Sequence, residues 1–203
     1  MRAFRGAASQ AIGRAAAAAQ WLGVAALLGA CVPTSLQRAA ADVAPPAAQA
    51  AFDVAGRMSV RHGSAALAAS FRWSHANERD ELELASPLGQ TVALLSGDAS
   101  QVRLQGADGR VSTADGWSEL TEQGLGWPLP VQGLAFWIQG DARPGAPFSV
   151  EAGDDGRVAL LRQDGWTIVY QAYAQAADGA WRPSRLTLSY PEVELRIAID
   201  RWQ

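Results

Sequence analysis

Residues 185–200 read RLTLSYPEVELRIAID, and this stretch decides the fold. Leu186 and Leu188 alternate with Arg185, Thr187 and Ser189. Val193, Leu195, Ile197 and Ile199 then fall on one face of a second run. Period-two alternation puts apolar side chains on one side of a strand and polar ones on the other. A sheet with one dry and one wet face is characteristic of antiparallel pairing. The same alternation recurs in ELELA (81–85) and QVRLQ (101–105). Between such runs stand Asp108-Gly109, Asp155-Gly156, Asp164-Gly165 and Asp178-Gly179. Asp-Gly suits tight hairpins, because glycine accepts a positive φ at no steric cost. No two of these pairs have the spacing of a calcium-binding loop, so turns are expected.

The middle of the chain has a different period. GWSELTEQGLG (116–126) offers Ser118 as a cap before one or two helical turns, with glycine to end them. After Pro130, the residues Val131, Leu134, Ala135 and Ile138 recur at i, i+3, i+4 and i+7. That spacing is one face of an amphipathic helix. Strands, a short helical insert and strands again describe a curved sheet with helices lying against it.

The N-terminal segment is of another kind. Arg2, Arg5 and Arg14 precede the mostly alanine run 15–30, which ends in Leu27-Leu28-Gly29-Ala30-Cys31. A basic start and an apolar stretch make an export signal. The run is short for a bilayer-spanning helix, which needs about 20 apolar residues. The end of it resembles a bacterial lipobox, and Cys31 is the only cysteine of 203 residues. Residues 1–30 are therefore expected to be a lipoprotein signal peptide, with Cys31 the lipid-attachment site. Residues 31–51 are rich in alanine and proline and form the expected tether, and residues 52–203 the folded domain. Val32 rather than aspartate follows the cysteine, which by resemblance to enterobacterial lipoproteins directs the protein to the outer membrane.

The net charge is −3, and removing the leader's three arginines makes it −6. All 17 basic residues are arginine. A mildly acidic domain lacks the basic stripe that nucleic acid requires. The two histidines, His62 and His75, are poorly spaced as metal ligands and are expected at the surface, at strand or loop edges. No catalytic motif of known spacing is present, so no enzyme, metal or cofactor is expected.

Two features are left over. Seven tryptophans follow Cys31, at positions 73, 117, 127, 137, 166, 181 and 202. Tryptophan is common where apolar ligands or membrane interfaces meet protein. SPLGQ (86–90) reads as a hairpin tip, yet it carries Leu88 between Pro87 and Gly89. The residues alone leave two readings open: a leucine folded back on the sheet, or an apolar tip that dips into a membrane or partner.

GRMSV (56–60), ASFRW (69–73), LELASPLGQT (82–91), LGWPLPV (125–131), LAFWIQG (134–140), QDGWTIVYQAY (163–173) and IDRWQ (199–203) together resemble the LolB family. The resemblance implies an unclosed antiparallel β-barrel of about eleven strands, with short helices over the concave apolar face and a cavity between. It implies an outer-membrane receptor that accepts triacylated lipoproteins from a periplasmic LolA-like carrier and inserts them into that membrane. Trp73, Trp137, Trp166 and Trp202 match tryptophans of the family. Trp73, Trp137, Trp166, Leu134 and Ile138 are the expected acyl-chain residues. Leu88, flanked by Pro87 and Gly89, matches the leucine of the family's membrane-inserting loop. A monomer is expected. The rival readings are an envelope scaffold lipoprotein and a lipid-directed hydrolase with His62 or His75 as base.

Overall fold

The structure is a computed structural model that describes residues 48–203. The leader, Cys31 and the tether up to residue 47 lie outside the described residues. Six strands come first: β1 (Ala51–His62), β2 (Ala65–Ala76), β3 (Arg79–Ala85), β4 (Thr91–Gly97), β5 (Val102–Gly106) and β6 (Val111–Ala114). Two helices follow, α1 (Trp117–Leu125) and α2 (Val131–Trp137). Five more strands complete the chain: β7 (Phe148–Ala152), β8 (Val158–Gln163), β9 (Trp166–Gln175), β10 (Trp181–Tyr190) and β11 (Val193–Trp202).

All eleven strands form one antiparallel sheet in the order β6-β5-β4-β3-β2-β1-β11-β10-β9-β8-β7. Each half is a meander of hairpins. The halves join where β1 pairs with β11, from Val54 opposite Trp202 to His62 opposite Val193. The short strands β6 and β7 are left as unpaired edges, so the sheet curls without closing. The chain crosses from one edge to the other through α1 and α2. This is the half-barrel that the family resemblance implies.

Alternation places the core. Val54, Met58 and Val60 of β1, Leu82 and Leu84 of β3, and Leu195 and Ile197 of β11 are buried, while Asp53, Arg57, Arg61 and Arg196 are exposed. Each buried large aliphatic side chain contributes about 1.5–3 kcal/mol by leaving water. The four Asp-Gly pairs named above lie in hairpin turns, with glycine φ between 75° and 84°, while a fifth, Asp115-Gly116, leads into α1. The folded part starts upstream of residue 52. Ala51 already lies in β1, the Ala48 N–H donates to Asp141 (3.0 Å), and the Gln49 N–H donates to the Gln139 side chain (2.6 Å).

α1 begins one turn position earlier than its expected cap. Gly116, not Ser118, is the N-cap; its backbone is extended and no side chain caps the helix. Ser118 sits inside the first turn, where its hydroxyl is too late to reach the free N–H groups. The C-terminal end is as expected, with Gly126 left-handed and its N–H donating to the Glu122 carbonyl (3.0 Å).

Candidate functional site

α2 is fixed to the concave face by a buried polar joint. Pro130 starts it, and Val131, Leu134 and Ala135 turn inward, followed by Ile138 at the C-cap. Gly133 has a packing reason to be glycine. A Cβ there would stand 2.6 Å from the Trp137 ring, which lies back against its own first turn. The Trp137 Nε1–H donates to Gln163 Oε1 at 2.8 Å. The same oxygen accepts the Arg143 N–H (2.8 Å), and the Gln163 amide donates to the carbonyls of Arg143 (2.7 Å) and Ala146 (3.2 Å). From β9, the Tyr170 hydroxyl donates to the Trp137 carbonyl at 2.8 Å. Burial pushes the Tyr170 hydroxyl well above the usual phenol range, so it stays a donor. The two-residue turn Asp164-Gly165, both at positive φ, sets Gln163 opposite Trp166 and so aims it at α2.

α1 is held differently. It packs on β5 and β6 through Leu120 and Trp117. Its Thr121 hydroxyl donates to the Trp117 carbonyl (2.8 Å) and accepts the buried Leu129 N–H (2.7 Å), a bond within the helical segment. The sheet reaches it with one polar contact among the described residues, from His62 Nδ1 to the Gly126 carbonyl (3.1 Å). The indole Nε1–H of Trp117 is buried and has no acceptor among the described residues.

Buried side chains occupy much of the space between sheet and helices. The five expected acyl-chain residues, Trp73, Trp137, Trp166, Leu134 and Ile138, are between 0% and 5% exposed. Four of them gather under and beside α2, where the Trp137 and Trp166 rings lie 6.1 Å apart. Trp73 belongs to another group, at the end of the sheet where β1 begins. There it packs edge-on to Phe52 (5.3 Å), and Phe52 packs on Trp202 (5.8 Å).

His75 corrects the expectation of surface histidines. Its side chain is 16% exposed, stacks on Phe52 and meets Asp80 at 2.7 Å. Asp80 also accepts the Trp73 Nε1–H at 2.8 Å. Burial raises the Asp80 carboxyl above the usual range, against the pull of the His75 and Trp73 hydrogen bonds. Among the described residues, neither histidine bonds to a serine hydroxyl. Asp80 and Gln163 escaped the sequence reading, although both have the parity of inward residues: Asp80 with Leu82 and Leu84, Gln163 with Leu161.

Among the recesses of the described residues, two bear on this site. One, of about 740 Å³, lies between the first turn of α1 and the β8–β9 turn and is walled by Trp117, Trp137, Trp166 and Tyr190. The other, of about 730 Å³, lies mainly on the polar outer face, around Arg72, Glu81, Glu83 and Arg103. Leu88 touches neither. It stands at the β3–β4 tip, 88% exposed. The tip is braced: Ser86 N–H donates to Gln90 O and Gly89 N–H to Ser86 O, both at 2.8 Å, with Gly89 at φ 83°. Pro87 fixes the preceding φ, so the leucine is presented outward by a rigid turn.

The class of protein is thus an open antiparallel half-barrel, with helices over its apolar face and a leucine at a projecting turn. A family profile described as "Outer membrane lipoprotein LolB" matches residues 50–202. This chain is 37% identical over 153 residues to the outer-membrane lipoprotein LolB of Nitrosomonas europaea, covering 75% of this chain and 72% of that one. It is 39% identical over 170 residues to that of Thiobacillus denitrificans, covering 80% and 89%. A LolA superfamily protein from Nitrosomonas europaea of solved structure aligns at 10% identity and a TM-score of 0.48, over 83% of this chain and 91% of that one. The chain belongs to the LolB family of outer membrane lipoproteins.

Proposed function

We propose that this protein is a non-catalytic receptor that takes acylated lipoproteins from a soluble LolA-like carrier and inserts them into the outer membrane, to which Cys31 anchors it. The observation that carries the reading is the way α1 is held. Its contacts with the sheet are apolar apart from the bond to His62. Acyl chains that displaced it would replace hydrocarbon by hydrocarbon and leave few buried polar groups unpaired. A triacylated lipoprotein carries tens of methylenes, each worth about 0.8 kcal/mol of burial, so it needs a hydrophobic container throughout transfer. Direction then comes from rising affinity: carrier, receptor, bilayer. Leu88, held out by its turn, is the group that enters the leaflet as the chains leave.

A well-packed core is also what an envelope scaffold would show, and one assay separates the two. A radiolabelled lipoprotein is loaded on the carrier and mixed with this protein in detergent-free buffer. Transfer to this chain is the expected result; retention on the carrier would leave the scaffold reading. Ester turnover abolished by His62→Ala or His75→Ala would support the hydrolase instead.

A further inference from the structure

Five Asp-Gly pairs stand in this chain, and the fold treats one of them differently. The four in hairpins are tied down. The carboxylates of Asp108, Asp155 and Asp178 each accept the N–H two residues on, at 3.0 Å. The N–H groups of Gly109, Gly156 and Gly179 donate to the carbonyls of Gly106, Gly153 and Ala176 at 2.9–3.0 Å. Both carboxylate oxygens of Asp164 are held by the Arg143 guanidinium at 3.0–3.2 Å. Asp115 and Gly116, which join β6 to α1, have none of this. Among the described residues the Asp115 carboxylate accepts no hydrogen bond and forms no ion pair, and the Gly116 N–H has no acceptor. The four hairpin glycines stand at positive φ, where a side chain is strained. Gly116 stands at φ −158°, extended backbone that any residue adopts, and a Cβ there would meet nothing within 4 Å. Neither the backbone nor the packing calls for glycine at 116. Asp115 is exposed, Gly116 is half-buried, and both line the recess of about 740 Å³, so water reaches the bond between them.

We infer that the Asp115–Gly116 bond is a site of spontaneous covalent modification, at which aspartate becomes isoaspartate. The Gly116 nitrogen attacks Cγ of the protonated Asp115 side chain. A C–N bond forms, and the carboxyl hydroxyl leaves with the nitrogen's proton as water. The product is a succinimide ring. Water then adds to one of its two carbonyls and breaks that carbonyl's bond to nitrogen. Opening at Cγ restores aspartate. Opening at the former backbone carbonyl leaves the main chain running through Cβ and Cγ, with the old carbonyl as a side carboxylate. Water is the only reactant, and the mass of the chain is unchanged. Glycine favours the attack, because no Cβ screens the nitrogen. In the hairpins the same attack must first break the bonds that hold the carboxylate and the glycine N–H. This inference goes beyond the receptor reading, and its chemistry does not depend on it. Its consequence falls on α1. The Gly116 carbonyl accepts the Leu120 N–H at 3.1 Å, and Leu120 is fully buried. One more main-chain carbon in the joint, about 1.5 Å of added chain, displaces that first turn and loosens the helix.

The test ages the full Cys31→Ser chain at neutral pH, folded or in urea, and locates isoaspartate by electron-transfer fragmentation of its peptides. In the folded chain Asp115 should isomerise about tenfold faster than Asp108, Asp155, Asp164 or Asp178, as the one or two net hydrogen bonds holding each hairpin warrant. In urea the five rates should converge, since glycine follows every one of these aspartates. Gly116→Ala, whose Cβ meets nothing in the fold but screens the nitrogen, should slow the folded-state reaction several-fold. Asp115→Glu keeps the charge at an exposed position but needs a larger ring, and should abolish it. An Asp115 no faster than the hairpin aspartates in the folded chain would overturn the site. So would a wild-type rate in Gly116→Ala. A lead that persists undiminished in urea would overturn the part assigned to the fold. For the consequence, ageing should lower the urea midpoint of the chain with Asp115 more than that of Asp115→Glu. Equal losses would overturn the loosening of α1.

Discussion

α1 and α2 cover the same concave face, yet the sheet holds them by different physics. α2 is joined through Trp137, whose indole N–H and carbonyl are both engaged by strand residues, Gln163 and Tyr170. Beyond its end, Gln139 and Asp141 also hold the incoming chain at Gln49 and Ala48. α1 rests on β5 and β6 by hydrocarbon contact, with a half-exposed bond to His62 at its far end. Buried hydrogen bonds are directional and lose their full value when a partner leaves. Apolar contact is indifferent to which hydrocarbon supplies it. One helix is thus part of the scaffold, and the other is a plug.

The largest test strikes the scaffold. Trp137→Ala removes a fully buried indole and one of the two donors to Gln163 Oε1, and should cost about 3–5 kcal/mol in urea unfolding. A loss below about 1 kcal/mol would erase the distinction between the helices. The second test locks the plug. A Cβ at Gly124 would lie 3.6 Å from Leu104 Cγ, so Gly124→Cys with Leu104→Cys, in a Cys31→Ser background, should form a disulfide from α1 to β5. Oxidation should weaken uptake of a fluorescent acyl probe at least tenfold, about 1.4 kcal/mol, and reductant should restore it. Uptake unaffected by the lock would mean that chains enter elsewhere.

Smaller effects sharpen the contrast. Thr121→Val strands the buried Leu129 N–H inside the plug and should cost about 1–2 kcal/mol, while the acyl-probe affinity rises because the closed form is weakened. Asp80 tests a buried polar joint at the other end of the sheet. Its carboxyl is raised in the folded state, so folding favours the protonated form. The wild-type chain should therefore lose stability relative to Asp80→Asn as pH rises from the unfolded aspartate value upward, measured as urea midpoints from about pH 3 to about pH 7. The opposite slope would mean that the His75 and Trp73 bonds outweigh burial. Leu88→Glu should move stability by less than about 0.5 kcal/mol, because the side chain is exposed. It should still abolish insertion of bound lipoprotein into vesicles while probe binding persists.

Strand parity made most of the sheet legible. Leu186, Leu188 and the four aliphatics of β11 face inward as their alternation requires, and the Asp-Gly pairs at 108, 155, 164 and 178 make their turns. α2 was legible because Pro130 and the i, i+3, i+4 spacing agree. The pairing of β1 with β11 carries no local mark: it joins residues more than a hundred apart, and only closure of the two meanders demands it. Ser118 misled because capping residues are read from type, whereas the backbone turns helical one residue earlier, at Trp117. The site was less legible for a related reason. Gln163, Asp80 and His75 are polar, and a reading that expects polar residues outside passes over those whose parity points them in. Trp117 was visible as one tryptophan of seven, but nothing in a sequence tells which indole lacks an acceptor.

The chain enters the sheet at Ala51, at the end of β1 opposite the one toward which the β3–β4 tip projects. Seventeen residue steps separate Cys31 from Ala48, a contour of at most about 60 Å at ~3.3–3.6 Å per step. The twelve residues of β1 span about 40 Å at ~3.3 Å each. With Cys31 as the proposed anchor, that contour exceeds the length of β1 by some 20 Å, which is reach enough for Leu88 and the anchor to meet one leaflet. A chain trimmed by about six residues between 31 and 48 would lose that margin.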